Sequence, residues 1–311
     1  MLTLLNQNSF PNLYIPGAAK SGTSTLHDLL QLHPKICMSS KKEPHYWVDT
    51  KYSSKDLNAR EAYLQLFNLK DECTIKGESS TSYMVLPEFI DRIKNTNYSE
   101  VKFIFILRNP IDRLYSHYWY LKGLGDEHLD LKSAVQSDFD IEPTVYSRHK
   151  NGKYKHYYQF GRYGYWLDRF YSNFETSQIK IILFEDLVKN QLNTLNNCFK
   201  FLNLETLRDI PTVETNTTKL LKYPKLYSVL QDLNRGRSSL LKPLHPVVPS
   251  QVKRFLRSNV NTFILNKTSK SSYPPLTAKD RNYLKSLYIN DVVYLKKVTG
   301  VNFNLWEDFN C

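Results

Sequence analysis

The sequence predicts an α/β fold, a P-loop-like three-layer sandwich around a central, mostly parallel sheet of about five strands. Three observations predict it. Short apolar runs near residues 13, 36, 75, 103 and 181 alternate with helical stretches, the rhythm of strand and crossover helix. The run over 101–107 is apolar almost without interruption, as a strand buried on both faces of a parallel sheet must be. The first run, Leu13-Tyr-Ile15, leads through a loop of small residues straight into a helix start, as a phosphate-binding loop leaves its strand.

That loop is Gly17-Ala-Ala-Lys-Ser-Gly-Thr-Ser-Thr25. Gly17, Ala18, Ala19 and Gly22 let the backbone approach a ligand closely. Thr23, Ser24 and Thr25 open a helix whose unpaired N–H groups and dipole favour an anion, and Lys20 adds a positive charge. Gly17 and Gly22 have Walker A spacing, but Thr23 stands where an ATP-type loop carries its lysine. A lysine inside the loop sits nearer the first bridging atom beyond a 5′-phosphate. That position suits a nucleotide whose reactive group hangs on the α-phosphate. The plainer reading is a Gly/Ser turn with a solvated lysine.

In order, 23–32 is a helix with Leu26, Leu29 and Leu30 on its apolar face, ended at His33-Pro34. A strand over 35–38 follows, then a polar loop over 39–49 holding Glu43, His45, Tyr46 and Trp47, and a helix over 57–69. The strand at 73–76 runs into a small-residue turn, 77–83, before a helix at 86–93. Past the strand 101–107 come Arg108 and a helix opened by Pro110, continuing to Leu121. The stretch 123–164 is poor in aliphatic residues and rich in aromatic and basic ones, and reads as a long irregular insertion on the acceptor side. Its tyrosine-rich part, 146–165, is either a lid over an anionic or sugar acceptor or a solvated surface. A helix over 165–174, a fifth strand over 179–184 and a helix over 186–202 follow. Beyond them, 220–233 is a helix candidate and 241–249 a proline loop. The helix over 277–298 is capped by Thr277 with Asp280 and stopped by Gly300. The reading is one domain over 1–311: an α/β core at 11–205, the insertion at 123–164, and a helical and loop region at 206–311.

A net charge of +12 points to anionic ligands: nucleotides, acidic glycans, nucleic acid or a membrane face. Cys37, Cys73, Cys198 and Cys311 show no C-x-x-C spacing, so neither a zinc site nor a disulfide framework is expected, and a reducing compartment fits. The eight histidines form no metal-binding pattern, and no metal is expected. Residues 1–8 lack the basic and apolar regions of a leader, and no window has the length of a membrane-spanning helix. A cytoplasmic location is the expectation.

After an ATP-type loop, the next long strand commonly ends in an acid that helps hold magnesium. Here it ends in Arg108, which would repel Mg²⁺ and attract a further phosphate; Ser116, eight residues on, can reach the same group. Taken singly, Arg108 reads as a structural ion pair and Ser116 as a helix surface residue; together with Lys20 they form a constellation. With it, the sequence resembles the sulfotransferase family that uses 3′-phosphoadenosine 5′-phosphosulfate (PAPS). Gly17-Ala-Ala-Lys-Ser-Gly-Thr-Ser24 looks like the family's 5′-phosphosulfate loop, and Phe103-Ile-Phe-Ile-Leu-Arg-Asn-Pro-Ile-Asp-Arg-Leu-Tyr-Ser-His-Tyr118 like its 3′-phosphate element. Lys42-Glu-Pro-His-Tyr-Trp47, Gly77-Glu-Ser-Ser-Thr-Ser-Tyr83, Ile181-Ile-Leu-Phe-Glu-Asp-Leu187 and, more loosely, 295–306 extend the match.

The resemblance implies that Lys20, Ser21, Gly22, Thr23 and Ser24 bind the 5′-phosphosulfate, and Arg108 and Ser116 the 3′-phosphate. The pattern is most similar to the carbohydrate branch typified by heparan sulfate sulfotransferases, where a glutamate ahead of paired aromatics acts as base. Glu43 ahead of Tyr46-Trp47 matches it, with His45 as the rival base. Two departures stand out. Glu78 is followed by Ser79 and Ser80 where that branch often carries lysine, so a second cation near the sulfuryl group is not legible. The family's glycine-rich C-terminal nucleotide segment has no clear counterpart, and Lys267-Thr-Ser-Lys270, with Lys270 on the nucleotide, is the stretch that could replace it. The implied reaction is in-line sulfuryl transfer from PAPS, without metal, to a hydroxyl or amine acceptor. That acceptor would be a small molecule or glycan, foremost a carbohydrate, with Glu43 as base and Lys20 at the leaving group. The alternatives are an ATP-dependent kinase or NTPase of related fold, with 179–186 imitating a Walker B strand, and a nucleic-acid binder using the basic surface.

Overall fold

The computed structural model describes residues 10–48, 57–67, 73–95, 101–139, 154–211 and 273–310. Five strands form one sheet: β1 (Leu13–Ile15), β2 (Ile36–Met38), β3 (Ile75–Ser79), β4 (Lys102–Leu107) and β5 (Ile179–Leu183). Their order is β2-β3-β1-β4-β5, and every pairing is parallel. All carboxyl ends therefore meet one edge of the sheet. The chain winds from β1 toward β2 and β3 on one side and toward β4 and β5 on the other. The β1–β4 boundary is thus the switch point, where such sheets leave a crevice.

β4 shows how alternation makes three layers. Phe103, Phe105 and Leu107 point into a core with Phe89, Trp166 and Phe170, while Ile104 and Ile106 join Leu13, Ile15, Leu26, Leu29 and Phe199 on the opposite face. The first layer comes from α3 (Pro87–Lys94), α4 (Pro110–Gly123), α6 (Tyr163–Tyr171) and α9 (Ala278–Thr299). The second comes from α1 (Thr23–Leu30) and α8 (Gln191–Phe201). α2 (Leu57–Leu64), α5 (Leu131–Phe139) and α7 (Phe184–Lys189) complete the described helices. The caps of α9 follow the sequence: Asp280 N–H donates to Thr277 Oγ1 at 3.1 Å, and Gly300 ends the helix at φ 66°.

Three expectations are corrected. First, 123–164 is not irregular throughout. α5 lies within it, and residues 154–164 pack inward, with Tyr157 and Tyr163 fully buried. Their polar groups find partners inside: Tyr157 Oη donates to Glu127 at 2.6 Å, and the Asp138 carboxylate takes the N–H groups of Tyr158 (2.7 Å) and Gln159 (2.9 Å). His156, Tyr157, Gln159, Phe160, Gly161, Tyr163 and Gly164 are buried and belong to the core, while Tyr154, Lys155, Tyr158 and Arg162 are half-buried; 140–153 lie outside the described residues. Second, the helix expected over 186–202 is two helices, because Asn190 between α7 and α8 sits at φ −137°, ψ 62°. Third, Cys37 and Cys73 form a disulfide. Pairing of β2 with β3 sets Cys37 beside Lys76 and brings the two cysteine Cα atoms within 5.9 Å. A separation of 36 residues hid this neighbour relation, and the cysteine argument for a reducing compartment goes with it. Among the described residues no helix is long and apolar enough to cross a membrane. The helix candidate at 220–233 and the loop at 241–249 lie outside the described residues.

Candidate active site

At the carboxyl edge a cleft of about 430 Å³ opens between the loops that follow β1, β2 and β4. The ladder between β1 and β4 runs past the end of β1: Ile106 N–H donates to Gly17 O (2.9 Å) and Ala18 N–H to Ile106 O (2.8 Å). The loop is thus pinned to β4 before it turns. Gly22 makes the turn at φ 91°, and a Cβ there would stand 2.7 Å from the Phe184 ring, so only glycine fits. α1 then begins with no side-chain cap and no acid in its first turn. Its N–H groups and dipole face the cleft, which Thr23, Ser24 and Thr25 line.

Lys20, at φ 68°, reaches across the cleft to place Nζ 4.0 Å from the centre of the Tyr120 ring. Burial, with Arg108, Arg113 and Lys42 nearby, pushes its pKa down to about 8. An anion among these cations would relieve that repulsion. Arg108 lies 4.9 Å from the centre of the Phe184 ring and lines the cleft with Ser116. Ser116 and Tyr120, four residues apart on α4, share a face.

The backbone that carries Arg108 is latched from several directions. Tyr163 Oη donates to Arg108 O at 3.0 Å. Asn109 N–H donates to Glu185 at 2.9 Å, and Trp306 Nε1 donates to the same carboxylate at 3.1 Å. Asp308 accepts from Asn109 Nδ2 (2.7 Å) and from Arg281 (2.6 Å), and Arg281 also meets Asp112 at 2.9 Å. C-terminal residues thus hold the start of α4.

On the facing wall, the loop after β2 presents Glu43. Its carboxylate accepts from Thr81 N–H (3.0 Å), Thr81 Oγ1 (3.1 Å) and Lys42 Nζ (3.2 Å), with His45 Nε2 at 3.4 Å. His45 is held in turn by Ser82 Oγ at Nδ1 (2.7 Å). Among the described residues, four that are not glycine have positive φ; Lys20, Glu43 and His45 are three of them. Backbone strain of about 1–3 kcal/mol per such residue collects at ligand-handling sites. The paired aromatics turn away and anchor the loop: Tyr46 stacks on Tyr63 at 4.0 Å, and Trp47 Nε1 donates to Tyr14 Oη at 3.0 Å.

Lys20, Gly22, Thr23, Ser24, Glu43, Arg108 and Ser116 therefore converge as the sequence suggested. Ser21 does not. Its side chain is fully buried beneath the loop beside Tyr163, and its N–H donates to Ala18 O at 3.2 Å. Glu78, read from the sequence as part of the turn 77–83, instead belongs to β3 and is also fully buried. It accepts hydrogen bonds from Tyr63, Tyr83 and Ser80, and burial pushes its pKa up to about 7. Thr81 is the residue of that turn that reaches the cleft. Lys270 lies outside the described residues. Lys42, Thr81, Tyr120 and Phe184 line the cleft without having been singled out; for Lys42 the only signal was its place beside Glu43. Among the described residues no group of three or more His, Cys, Asp or Glu side chains is placed to hold a metal ion.

The family model of the sulfotransferase domain matches residues 11–228. The chain belongs to the sulfotransferase family. It is 27% identical to human carbohydrate sulfotransferase 15 over 302 residues, 79% of this chain and 51% of that protein. The chain thus spans about half the length of that relative. It is 26% identical to mouse heparan sulfate glucosamine 3-O-sulfotransferase 5 over 256 residues, 81% of this chain and 70% of that one. A solved sulfotransferase from Alicyclobacillus acidocaldarius shares the fold, with a TM-score of 0.64 and 22% identity over 96% of this chain and 99% of that one. The kinase reading is not favoured. In this chain Thr23 occupies the ATP-type lysine position, and Glu185, within the Walker B-like stretch 179–186, is engaged by Asn109 and Trp306.

Proposed function

We propose that this sulfotransferase moves a sulfuryl group from PAPS to a hydroxyl or amine of a carbohydrate, with Glu43 as base and Lys20 at the leaving group. The observation that carries the reading is one cleft with two different walls. One wall holds the uncapped start of α1, Lys20, Arg108 and Ser116; the other holds Glu43. The donor supplies an activated sulfuryl group on a 5′-phosphate, and its second phosphate requires a second anion subsite. The residues fit that need: Thr23, Ser24 and the first amides of α1 for the 5′-phosphate, Arg108 and Ser116 for the 3′-phosphate.

Each residue has a defined task with a hydroxyl acceptor. Glu43, oriented by Thr81 and His45, takes the proton as the acceptor oxygen bonds to sulfur. The bond from sulfur to the bridging oxygen breaks with its electron pair passing to that oxygen, where the Lys20 ammonium meets the growing charge. The products are a sulfate ester, 3′-phosphoadenosine 5′-phosphate (PAP) and a protonated Glu43 that returns its proton to water. Relatives described as carbohydrate and heparan sulfate glucosamine sulfotransferases support a carbohydrate acceptor. The net charge of +12 favours an acidic glycan among carbohydrates.

Calorimetry tests the donor site. PAP should bind without Mg²⁺ and more tightly than ADP, and Arg108→Ala should remove that preference. Equal affinity for PAP and ADP in the unmodified protein would eliminate the 3′-phosphate subsite. Radiolabelled sulfate should pass from PAPS to chemically desulfated heparan sulfate; the absence of transfer to that chain would count against the acceptor class.

A further inference from the structure

Lys42 is not needed to explain nucleotide binding, yet its position is specific. Its Nζ donates to Thr23 Oγ1 at 3.1 Å and to Glu43 Oε1 at 3.2 Å. Thr23 is the first residue of α1 and so forms the lip of the anion cradle. The ammonium thus spans the cradle and the base. If Lys42 were only a counter-ion for Glu43, a hydrogen bond to a neutral hydroxyl on a different element would be incidental. Glu43 also has two donors from Thr81 already. An ammonium carries three N–H donors, and two have partners here. Lys42 lines the cleft with Lys20 but approaches from the loop after β2 instead of the loop after β1.

We propose that Lys42 is a second catalytic cation, holding a non-bridging oxygen of the sulfuryl group as that group passes from the donor to the acceptor. The proposal rests on the reading of the cleft as a PAPS site. Lys42 keeps its proton throughout. The third N–H meets a sulfuryl oxygen in the bound donor; as Glu43 takes the acceptor's proton it loses its negative charge and its hold on the ammonium, and that N–H donor turns to the sulfuryl oxygen as well. Lys20 and Lys42 then divide the work: the first meets charge on the bridging oxygen, the second charge on the transferring group.

The test compares PAP with PAPS, which differ by the sulfuryl group alone, in the unmodified chain and in Lys42→Met and Lys42→Arg. Calorimetry should find PAP affinity in Lys42→Met within a few-fold of the parent, which also reports that the variant is folded. The preference for PAPS over PAP should fall in Lys42→Met and return in part in Lys42→Arg. With PAPS and desulfated heparan sulfate, Lys42→Met should lower kcat by about 10²–10³, the loss expected for one removed oxyanion donor. It should lower kcat again when added to Glu43→Gln. An unchanged PAPS-to-PAP preference, or no further loss beyond Glu43→Gln, would overturn the proposal and leave Lys42 as the counter-ion of Glu43. Failure of the unmodified chain to bind PAP would instead overturn the donor reading, and this proposal with it.

Discussion

Lys20 Nζ sits 4.0 Å from the centre of the Tyr120 ring, joining the loop after β1 to the helix that carries Ser116. The ring face attracts the ammonium and holds it over the cleft, where α1 also opens. Removal of the charge should therefore be felt in the transition state. Lys20→Ala is expected to lower kcat far more than it raises the acceptor KM. Tyr120→Phe, which keeps the ring, should stay near the parent, while Tyr120→Ala should raise the donor KM. A Lys20→Ala enzyme with normal kcat and only raised KM values would make Lys20 a binding residue alone.

The same lysine predicts a pH dependence of nucleotide binding. In the free protein burial and neighbouring cations bring its pKa down to about 8. A bound phosphate favours the charged form and raises it again. PAP affinity should thus be level below about pH 8 and fall above it, with proton uptake on binding. Calorimetry at pH 8.5 in buffers of different ionisation enthalpy measures that uptake directly. Binding that takes up no proton would show that Lys20 is already charged or does not meet the phosphate.

Glu43→Gln keeps size and most hydrogen bonding but cannot accept a proton. PAP binding should stay within a few-fold of the parent, with sulfate transfer down by about 10² or more. His45→Ala should cost much less, since His45 touches Glu43 at 3.4 Å as an orienting neighbour. The opposite ranking would assign the base to His45.

Buried Glu78 predicts a stability trend. Its pKa is raised from 4.5 to about 7, with burial as the leading cause. Between those values the native state holds a proton that the unfolded chain has released, so stability should fall as pH rises from 4.5 to 7 and be level in this respect above it. The linked loss is at most about 3 kcal/mol. Urea unfolding of Glu78→Gln should show a shallower slope than the parent across that window. Parallel curves would mean that Glu78 titrates at the same pH in both states.

The disulfide predicts a thiol count. Unfolded without reductant, the chain should show two reactive thiols from its four cysteines. Reduction, or Cys37→Ser with Cys73→Ser, should cost about 2–4 kcal/mol of stability, read as a lower urea midpoint. Four reactive thiols in protein isolated under oxidising conditions would refute the pairing.

By itself the sequence determined what local rules govern. Phe103 and Ile104 alternate across β4 because strand side chains alternate. Gly22 marks the tight loop, and Thr277 and Gly300 bound α9, because caps and left-handed turns depend on residues a few positions apart. Lys20, Glu43 and Arg108 were also legible, since each lies in the connection that follows a strand and a parallel sheet brings all such ends to one edge. Tertiary structure alone decided which neighbours face one another across that edge. Glu78 and Thr81 stand three residues apart, yet Tyr63 from α2 and Tyr83 take the first into the core while Glu43 draws the second to the cleft. Ser21 turns inward and Lys20 outward within one loop. Cys73 meets Cys37 because β3 lies beside β2. Most of 154–164 is buried because distant partners satisfy its backbone: Arg113 on α4 and Tyr288 on α9 donate to the Tyr157 and Tyr158 carbonyls, and Asp138 on α5 accepts from Gln159 N–H. In each case the deciding contact comes from a residue distant in the chain. Backbone sterics act over a few residues, whereas side-chain burial and pairing depend on which strands become neighbours.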